Sequence, residues 1–331
     1  MRFIHHSITD PYFNLAAEQY MLEHGFGNAF LLWRNGPSVI IGKNQNAYAQ
    51  LNLPYVEQNH IQVARRLTGG GAVFHDLGNV NFTFITDAPA QREIDFSRFT
   101  EPIVASLAAF GVQASLSGRN DLMAAGCKIS GNAQCVYPTA DGRARLLHHG
   151  TLLFSADLSR LAGALRVNRE KMESKGIESV RSRVANIRDL PGYRGPATAE
   201  GFFDALAAAA EREYGAPENY TPSEVAAIRA LSETKFSTWE WNFGASKEYR
   251  VTRERRFPYG SVTVSLDAHG GVLRQIAFFG DYFGTRDTAE LSSRLVGCRM
   301  ETAALRAALA ECEKYIYGSS PEELTALILG D

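Results

Sequence analysis

A chain of 331 residues that is 45% hydrophobic and 21% charged has the composition of an ordinary globular protein, with length for about two domains. The 34 basic and 36 acidic residues nearly cancel, which excludes the broad basic footprint of a nucleic-acid binder. Four cysteines without a C-x-x-C pair, no apolar run of about 18 residues and no signal-peptide core in MRFIHHSITDPYF predict reduced thiols, a cytoplasmic location and no membrane contact.

Asp10-Pro11 has the form of a helix start, an N-cap followed by proline in the first turn. The helix is expected to reach Glu23 and stop near Gly25, burying a stripe of Phe13, Ala16, Ala17, Tyr20 and Met21. Ala29–Trp33 and Ser38–Gly42 read as strands joined by a turn at Asn35-Gly36-Pro37. Residues 48–59 read as helical or irregular. A strand over Ile61–Arg66 leads into three glycines. Beyond them, Val80–Thr86 alternates, with Phe82 and Phe84 on one face and Asn81 and Thr83 on the other, as in a half-buried strand.

Phe99, Ile103, Leu107 and Phe110 recur at helical spacing before Gly111, and Val112–Leu116 reads as a strand. A turn is expected around Ala124–Gly126, a strand over Arg145–Ser155, and a helix after Asp157. The charged stretch 166–196 is expected to wrap the surface. Phe202, Phe203, Leu206 and Ala210 mark a helix ending at Gly215, and Thr221-Pro222-Ser223-Glu224 is a capping box. The Trp239–Trp241 pair is expected to pack at a domain junction. Past Tyr249 the pattern changes to three strands, 249–257, 261–266 and 272–279, with a hairpin turn at 267–271. Helices are expected from Thr288 to Leu295 or beyond Met300, and over Pro321–Leu329, the last capped by Ser320 with Glu323. These elements place a domain boundary between Gly244 and Tyr249, giving domains of residues 1–244 and 245–331.

The stretch RRLTGGGAVFHDLGNVN, residues 65–81, contains three consecutive glycines beside Arg65, Arg66, His75 and Asp76. Glycine loses backbone entropy on folding and adds nothing to a core, so such a run suits a left-handed turn or close approach to a ligand. Guanidinium groups beside a bare backbone suit a phosphate. Neither G-x-x-x-x-G-K-[ST] nor a strand–G-x-G-x-x-G–helix is present, so the common phosphate loops are excluded. Alone, the run leaves a structural loop and a ligand loop equally open.

Read together with DPYFNLAAEQY, SGRNDL, CKISGNAQ, HHGTLL and KGIESVRSRVANI, that stretch resembles the lipoate–protein ligase A family of the biotin/lipoate ligase superfamily. The resemblance covers residues 4–244 and extends more loosely to the end. It implies an α+β fold: mixed, largely antiparallel sheets with packed helices, plus a small α/β accessory domain. It also implies a two-step reaction in which lipoate and ATP, with Mg²⁺, give lipoyl-adenylate, and the lipoyl group then passes to a lysine of a lipoyl domain. Acceptors in the family are 2-oxoacid dehydrogenase E2 subunits and the glycine cleavage H protein; a monomer is expected.

Lys128, in K-I-S-G, matches the family's active-site lysine, a point cation able to touch both the lipoate carboxyl and the α-phosphate. The resemblance assigns Arg66, Gly71, Ala72, Val73 and Phe74 to the nucleotide. It assigns Lys128, Gly70, Gly71, Trp33, His75, Ser130 and His149 to lipoate or lipoyl-AMP. His75 and Asp76 read either as catalytic residues or as braces of the loop, with bracing the favoured reading. Asp121 is either a Mg²⁺ ligand or an Asx-turn residue. His148 and His149 face opposite sides of a strand and cannot chelate one ion, so His149 is given to the site and His148 to structure. Candidate walls of the acyl slot are Trp33, Val39, Ile41, Phe74 and Phe82. Competing readings are an octanoyltransferase using Cys127, which as a strand neighbour of Lys128 points away from the site, a biotin ligase, and a non-catalytic binder of lipoyl or carrier domains.

Overall fold

Among the described residues short strands build three sheets, and strand order decides which polar residues are buried. The structure, a computed structural model, describes residues 1–24, 27–89, 95–117, 120–140, 142–165, 184–243, 251–269 and 271–330. β1 (Arg2–His5) leads to α1 (Pro11–Glu23), β2 (Ala29–Trp33), β3 (Ser38–Ile41), α2 (Ala47–Gln50), α3 (Leu53–Gln58) and β4 (Gln62–Arg65). After the glycine loop come β5 (Val73–His75), β6 (Asn79–Asp87), α4 (Ser97–Ala109), β7 (Ala114–Ser117), β8 (Asp121–Ala124), β9 (Cys127–Pro138), β10 (Ala144–Leu153) and α5 (Leu158–Ala164). Then follow α6 (Ala199–Tyr214), α7 (Pro222–Leu231), α8 (Trp239–Asn242), β11 (Val251–Phe257), β12 (Gly260–His269), β13 (Val272–Gly280), α9 (Thr288–Leu295), α10 (Thr302–Ala308) and α11 (Pro321–Leu329).

The seven-stranded sheet runs β1-β2-β6-β10-β9-β8-β7, antiparallel except for β1–β2. A three-stranded sheet, β4-β3-β5, is parallel at β3–β4 and antiparallel at β3–β5. The two runs expected to flank one turn, β2 and β3, therefore both form but lie in different sheets. The third sheet, β11-β12-β13, is antiparallel. Against it α9, α10 and α11 close an apolar core that includes Val262, Val264, Leu291, Leu305 and Leu327. This is an α+β architecture of mixed, largely antiparallel sheets with packed helices.

Helix ends follow the expected chemistry. The Asp10 side chain accepts from Tyr12 N, and the Thr221–Glu224 and Ser320–Glu323 boxes each make both reciprocal bonds. Gly215, at φ +90°, ends α6. Gly25 lies outside the described residues, as do 166–183 and 244–250, where part of the surface wrap and the domain boundary were expected. Three expectations are corrected. First, α9 spans Thr288–Leu295, the shorter of its two expected extents, and a separate α10 follows where no further helix was expected before α11. Second, α1 buries far more than a stripe: Asn14, Glu18 and Gln19 are buried along with its apolar residues. Third, β6 is buried on both faces, from Asn79 to Thr86.

The last two corrections share a cause. The central sheet is covered on both sides. On one face Phe82 and Phe84 pack with Phe99 and Ile103 of α4 and Phe202 and Leu206 of α6. On the other, Leu31, Trp33, Ile85 and Leu147 meet α1 and Ile228 of α7. Each large apolar side chain so buried contributes about 1.5–3 kcal/mol, and polar residues on the second face must find partners inside. Thr83 does: its Oγ1 donates to Glu18 Oε1 (2.6 Å) and accepts from Trp33 Nε1 (2.9 Å).

Candidate active site

The floor of the cleft beneath the glycine loop is one row of residues across the central sheet. Trp33 pairs with Asn81, Asn81 pairs with Thr151, and Gly131 donates its N–H to Thr151 Oγ1 (3.1 Å) and pairs with Asp121. Lys128 rises beside this row because of a bulge. Leu122 pairs with Ser130 but Met123 with Lys128, leaving Ile129 as the extra residue. The bulge changes the strand's parity, so Lys128 shares a face with Gly131: a Cβ on Gly131 would lie 3.2 Å from Lys128 Nζ. Lys128 Nζ is 2.7 Å from Asp121 Oδ1, both side chains being one-third exposed. Ser130 falls on the other side. It is fully buried, its Oγ accepting from Asn132 Nδ2 (3.3 Å), and it is not part of the wall.

The roof is the β3–β5 face and the glycine loop: Ile40, Val73, His75, Arg66, Gly70, Gly71 and Ala72. Ile40 is paired with Val73, which fixes these two on the same face. Val39, Ile41 and Phe74 point the opposite way into a separate core with Val56 and Leu51, and Phe82 packs beneath the sheet. Of the expected acyl-slot walls only Trp33 lines the cleft. Leu15, Ile40, Val73 and Ala133 take the places of the others. Phe74 and His75 are neighbours on a strand, so only one side chain can face a ligand.

The two arginines have different jobs. Arg65, 2% exposed, donates Nη1 to the carbonyls of Gly42, Lys43 and Gln45, and Nε and Nη2 to Trp241 and Asn242. It ties the end of β3 to α8 and is absent from the cleft wall. Trp241 also donates Nε1 to Arg65 O (2.8 Å), while Trp239 is 59% exposed. Arg66 lines the cleft but spends most of its donors on the loop: Nη1 to Ile40 O, Nη2 to Gly69 O and Gly71 O, and Nε to Thr68 Oγ1. Burial lowers the Arg66 guanidinium to about 10, Glu18 partly opposing the shift, and it stays charged at neutral pH.

The glycines differ too. A Cβ on Gly69 would meet Tyr282 O at 2.3 Å, and Gly70 has φ +89° with Arg66 Nη2 3.0 Å from its would-be Cβ. Among the described residues a Cβ on Gly71 would have nothing nearer than Asp281 Cβ at 4.0 Å. Only at Gly71 is the bare backbone unexplained by the protein's own packing.

His149 bridges Glu18 Oε1 (2.9 Å, from Nδ1) and Thr68 Oγ1 (2.8 Å, from Nε2) and lines the cleft. His148 lies on the opposite face, fully buried and stacked on Phe99, and burial holds it neutral. His75 is 3% exposed and lines the cleft. Asp76 is a brace, accepting from Gly78 N and Asp157 N (2.8 Å each). Cys127 is absent from the wall. Among the described residues no three His, Cys, Asp or Glu side chains gather as a metal site. Sequence reasoning missed Glu18, buried in a helix that reads as amphipathic, and Asn81, Asn120, Asn132 and Thr151. Parity along β6 and β10 was the available signal, since His149 and Thr151 share one face.

Two family models match: the lipoyl protein ligase A/B catalytic domain over residues 10–211 and the bacterial lipoate protein ligase C-terminus over 246–328. The chain belongs to the lipoate–protein ligase family. It is 40% identical over 321 residues to lipoate–protein ligase 1 of Staphylococcus aureus, covering 96% of each chain. Among solved structures, this ligase-family chain resembles a bi-partite lipoate protein ligase of Thermoplasma acidophilum, studied with its E2 lipoyl domain. That match has TM-score 0.62 and 29% identity and covers 76% of this chain and 100% of the other. It also resembles a lipoate-protein ligase A bound with ATP, at TM-score 0.60 and 28% identity, covering 73% and 98%.

Proposed function

We propose that this protein activates lipoate with ATP and transfers the lipoyl group to a specific lysine of lipoyl domains, such as those of 2-oxoacid dehydrogenase E2 subunits and the glycine cleavage H protein. The observation that carries the reading is Lys128, raised over Gly131 at one end of a cleft whose wall also includes Arg66 and the glycine loop. In the first step a lipoate carboxylate oxygen attacks the α-phosphorus of ATP. The new P–O bond forms as the bond to the β-phosphate's bridging oxygen breaks, releasing pyrophosphate. Lys128 is the cation between carboxyl and α-phosphate and offsets charge that grows in the transition state. In the second step the acceptor lysine's neutral amine attacks the acyl carbon. The C–N bond forms, AMP leaves with the carboxyl-derived oxygen, and the amine loses a proton.

Arg66 and the backbone of residues 71–74 hold the nucleotide, Gly71 allowing the closest approach. Phe74 contributes main chain only, its ring lying in another core. Trp33, His75 and His149 border the acyl chain, with Gly70 shaping the loop above. Mg²⁺ suits the site in one way: Asp121 sets one carboxylate beside Lys128, and Mg²⁺ typically takes one or two carboxylates plus substrate phosphates. When bound with ATP it would neutralise phosphate charge. We assign this chemistry to residues 1–244 and an accessory role to residues 245–331. The matching spans of the two family models and the separate apolar core of the second segment support that division. Cys127, outside the wall, gives no support to an octanoyltransfer nucleophile.

Incubation with an apo lipoyl domain, lipoate and ATP–Mg²⁺, read by intact mass, tests the reading. A lipoyl increment that requires ATP is expected; acyl transfer solely from octanoyl carrier protein sinks it. Lys128→Ala is expected to lower adenylate formation by about 100-fold or more with the fold retained. Near-normal activity would remove Lys128 from its role.

A further inference from the structure

His75 carries a proton whose position is dictated by a chain of amides that begins far from the cleft. Asn14 Nδ2 lies 3.1 Å from both Ile8 O and Arg34 O. Carbonyl oxygens only accept, so that atom is the donor amide nitrogen and its orientation is fixed. The same nitrogen lies 2.9 Å from Asn35 Oδ1, which therefore accepts, and Asn35 Nδ2 donates to His75 Nδ1 at 3.1 Å. Nδ1 is thus a lone-pair acceptor. Burial first, then Arg66 and His149, lower the His75 imidazole to about 3, so the ring is neutral and its one N–H sits on Nε2. That atom is buried and has no partner among the described residues, while the ring lines the cleft.

A second unpaired group lies close by. Asn81, 1% exposed, shares one amide atom with Asn79 (2.8 Å) and leaves the other, Nδ2 as placed, without a partner among the described residues. Both residues border Trp33. The His75 ring centroid is 6.2 Å from that of Trp33, and Asn81 pairs with Trp33 across the sheet. Lys128 stands over Gly131 at the other end of the row, three strand spacings or about 14 Å from Trp33. An acid whose carboxylate meets Lys128 thus lays its far end against Trp33, Asn81 and His75. A saturated tail would leave the donor there unpaired, and a site built to pair a polar group rejects the analogue lacking it.

We propose that His75, through a fixed Nε2–H and assisted by Asn81, selects acyl chains that end in a hydrogen-bond-accepting group, such as the dithiolane sulfurs of lipoate, over a saturated chain of equal length such as octanoate. The inference rests on the ligase reading for its choice of ligand, but its test reads binding and not turnover. Calorimetry on the full chain gives the dissociation constants of lipoate and octanoate for the wild type, His75→Phe and His75→Gln. The wild type is expected to favour lipoate by about tenfold or more. His75→Phe, which keeps a ring and loses the donor, is expected to bring the ratio below about threefold, and His75→Gln, whose amide N–H can replace Nε2–H, to keep it.

Equal affinities in the wild type, or equal losses for both acids in His75→Phe, overturn the proposal while leaving ATP-dependent lipoylation untouched. Long-range ¹H–¹⁵N correlation on the histidine-labelled wild type supplies a second readout that needs no variant to fold. An Nε2–H tautomer unchanged from about pH 5 to about pH 8 is expected, and an Nδ1–H tautomer overturns the proposal.

Discussion

Glycine is used in two ways around this site, and single substitutions separate them. At Gly42 a Cβ would lie 2.1 Å from Gly70 O, a backbone atom that cannot move without displacing the loop. At Gly71 the nearest atom to such a Cβ, among the described residues, is 4.0 Å away. Gly42→Ala is therefore expected to destabilise the protein by about 1–3 kcal/mol, as overpacking does. Gly71→Ala is expected to change stability by less than about 0.5 kcal/mol, yet to raise KM for ATP by about tenfold or more, because its methyl occupies the ligand's space. Urea midpoints and steady-state kinetics distinguish the two. Equal loss of stability in both variants would remove the special place given to Gly71. Arg65 and Arg66 divide in the same manner. Adjacent in sequence and alike in charge, one binds five main-chain carbonyls away from the cleft and the other shapes the loop within it.

At the level of elements, α7 is pinned to β1 by one carboxylate with two tasks. Glu224 closes the capping box by accepting from Thr221 N (2.7 Å) and takes a bidentate pair from Arg2 (2.7 and 3.0 Å). The Arg2 hydrogen bond, against a smaller opposing effect of burial, lowers its carboxyl from 4.5 to about 2. A carboxyl depressed in the folded state contributes stability that is complete above its unfolded value and lost as pH falls through the folded one. Glu224→Gln keeps a box-closing side chain and removes the charge. It is expected to be less stable than wild type at neutral pH, with the gap closing between pH 4.5 and about 2. Urea midpoints measured across that range check this, and a gap that persists below it would mean the charge is not the cause.

Such caps were legible in the sequence because their chemistry is local: Asp10, Thr221 and Ser320 each act on backbone within three residues. Site parity was not. β3 and β5 are buried on both faces, so apolar content could not tell Ile40 from Val39 or Val73 from Phe74. The bulge at Ile129, which moves Ser130 out of the site, has no signature in K-I-S-G itself. Glu18 was hidden for a related reason: its partners, Thr83 and His149, come from strands distant in sequence.

For the whole molecule, the segment after β13 roofs the glycine loop. Gly70 N donates to Tyr282 O (3.3 Å), Gly280 N to Asn44 O (2.8 Å), and Phe283 packs with Phe96 and with Ala133 of the cleft wall. Lys43 and Asp287 add an ion pair at 2.8 Å, with side chains 35% and 46% exposed. Two kinds of contact thus hold this seam, and their magnitudes differ. An exposed pair contributes about 0–1 kcal/mol, whereas the backbone approach at Gly69 leaves no space for a methyl, 2.3 Å from Tyr282 O. Close packing, more than charge, then determines whether the two parts of the chain stay joined over the loop. Gly69→Ala is expected to speed hydrogen exchange at residues 280–284 and to lower adenylation, since the loop and its roof must separate to admit the new Cβ. Lys43→Ala is expected to leave that exchange nearly unchanged. The reverse pattern, fast exchange in Lys43→Ala and none in Gly69→Ala, would assign the seam to the ion pair and leave Gly69 with no role in it.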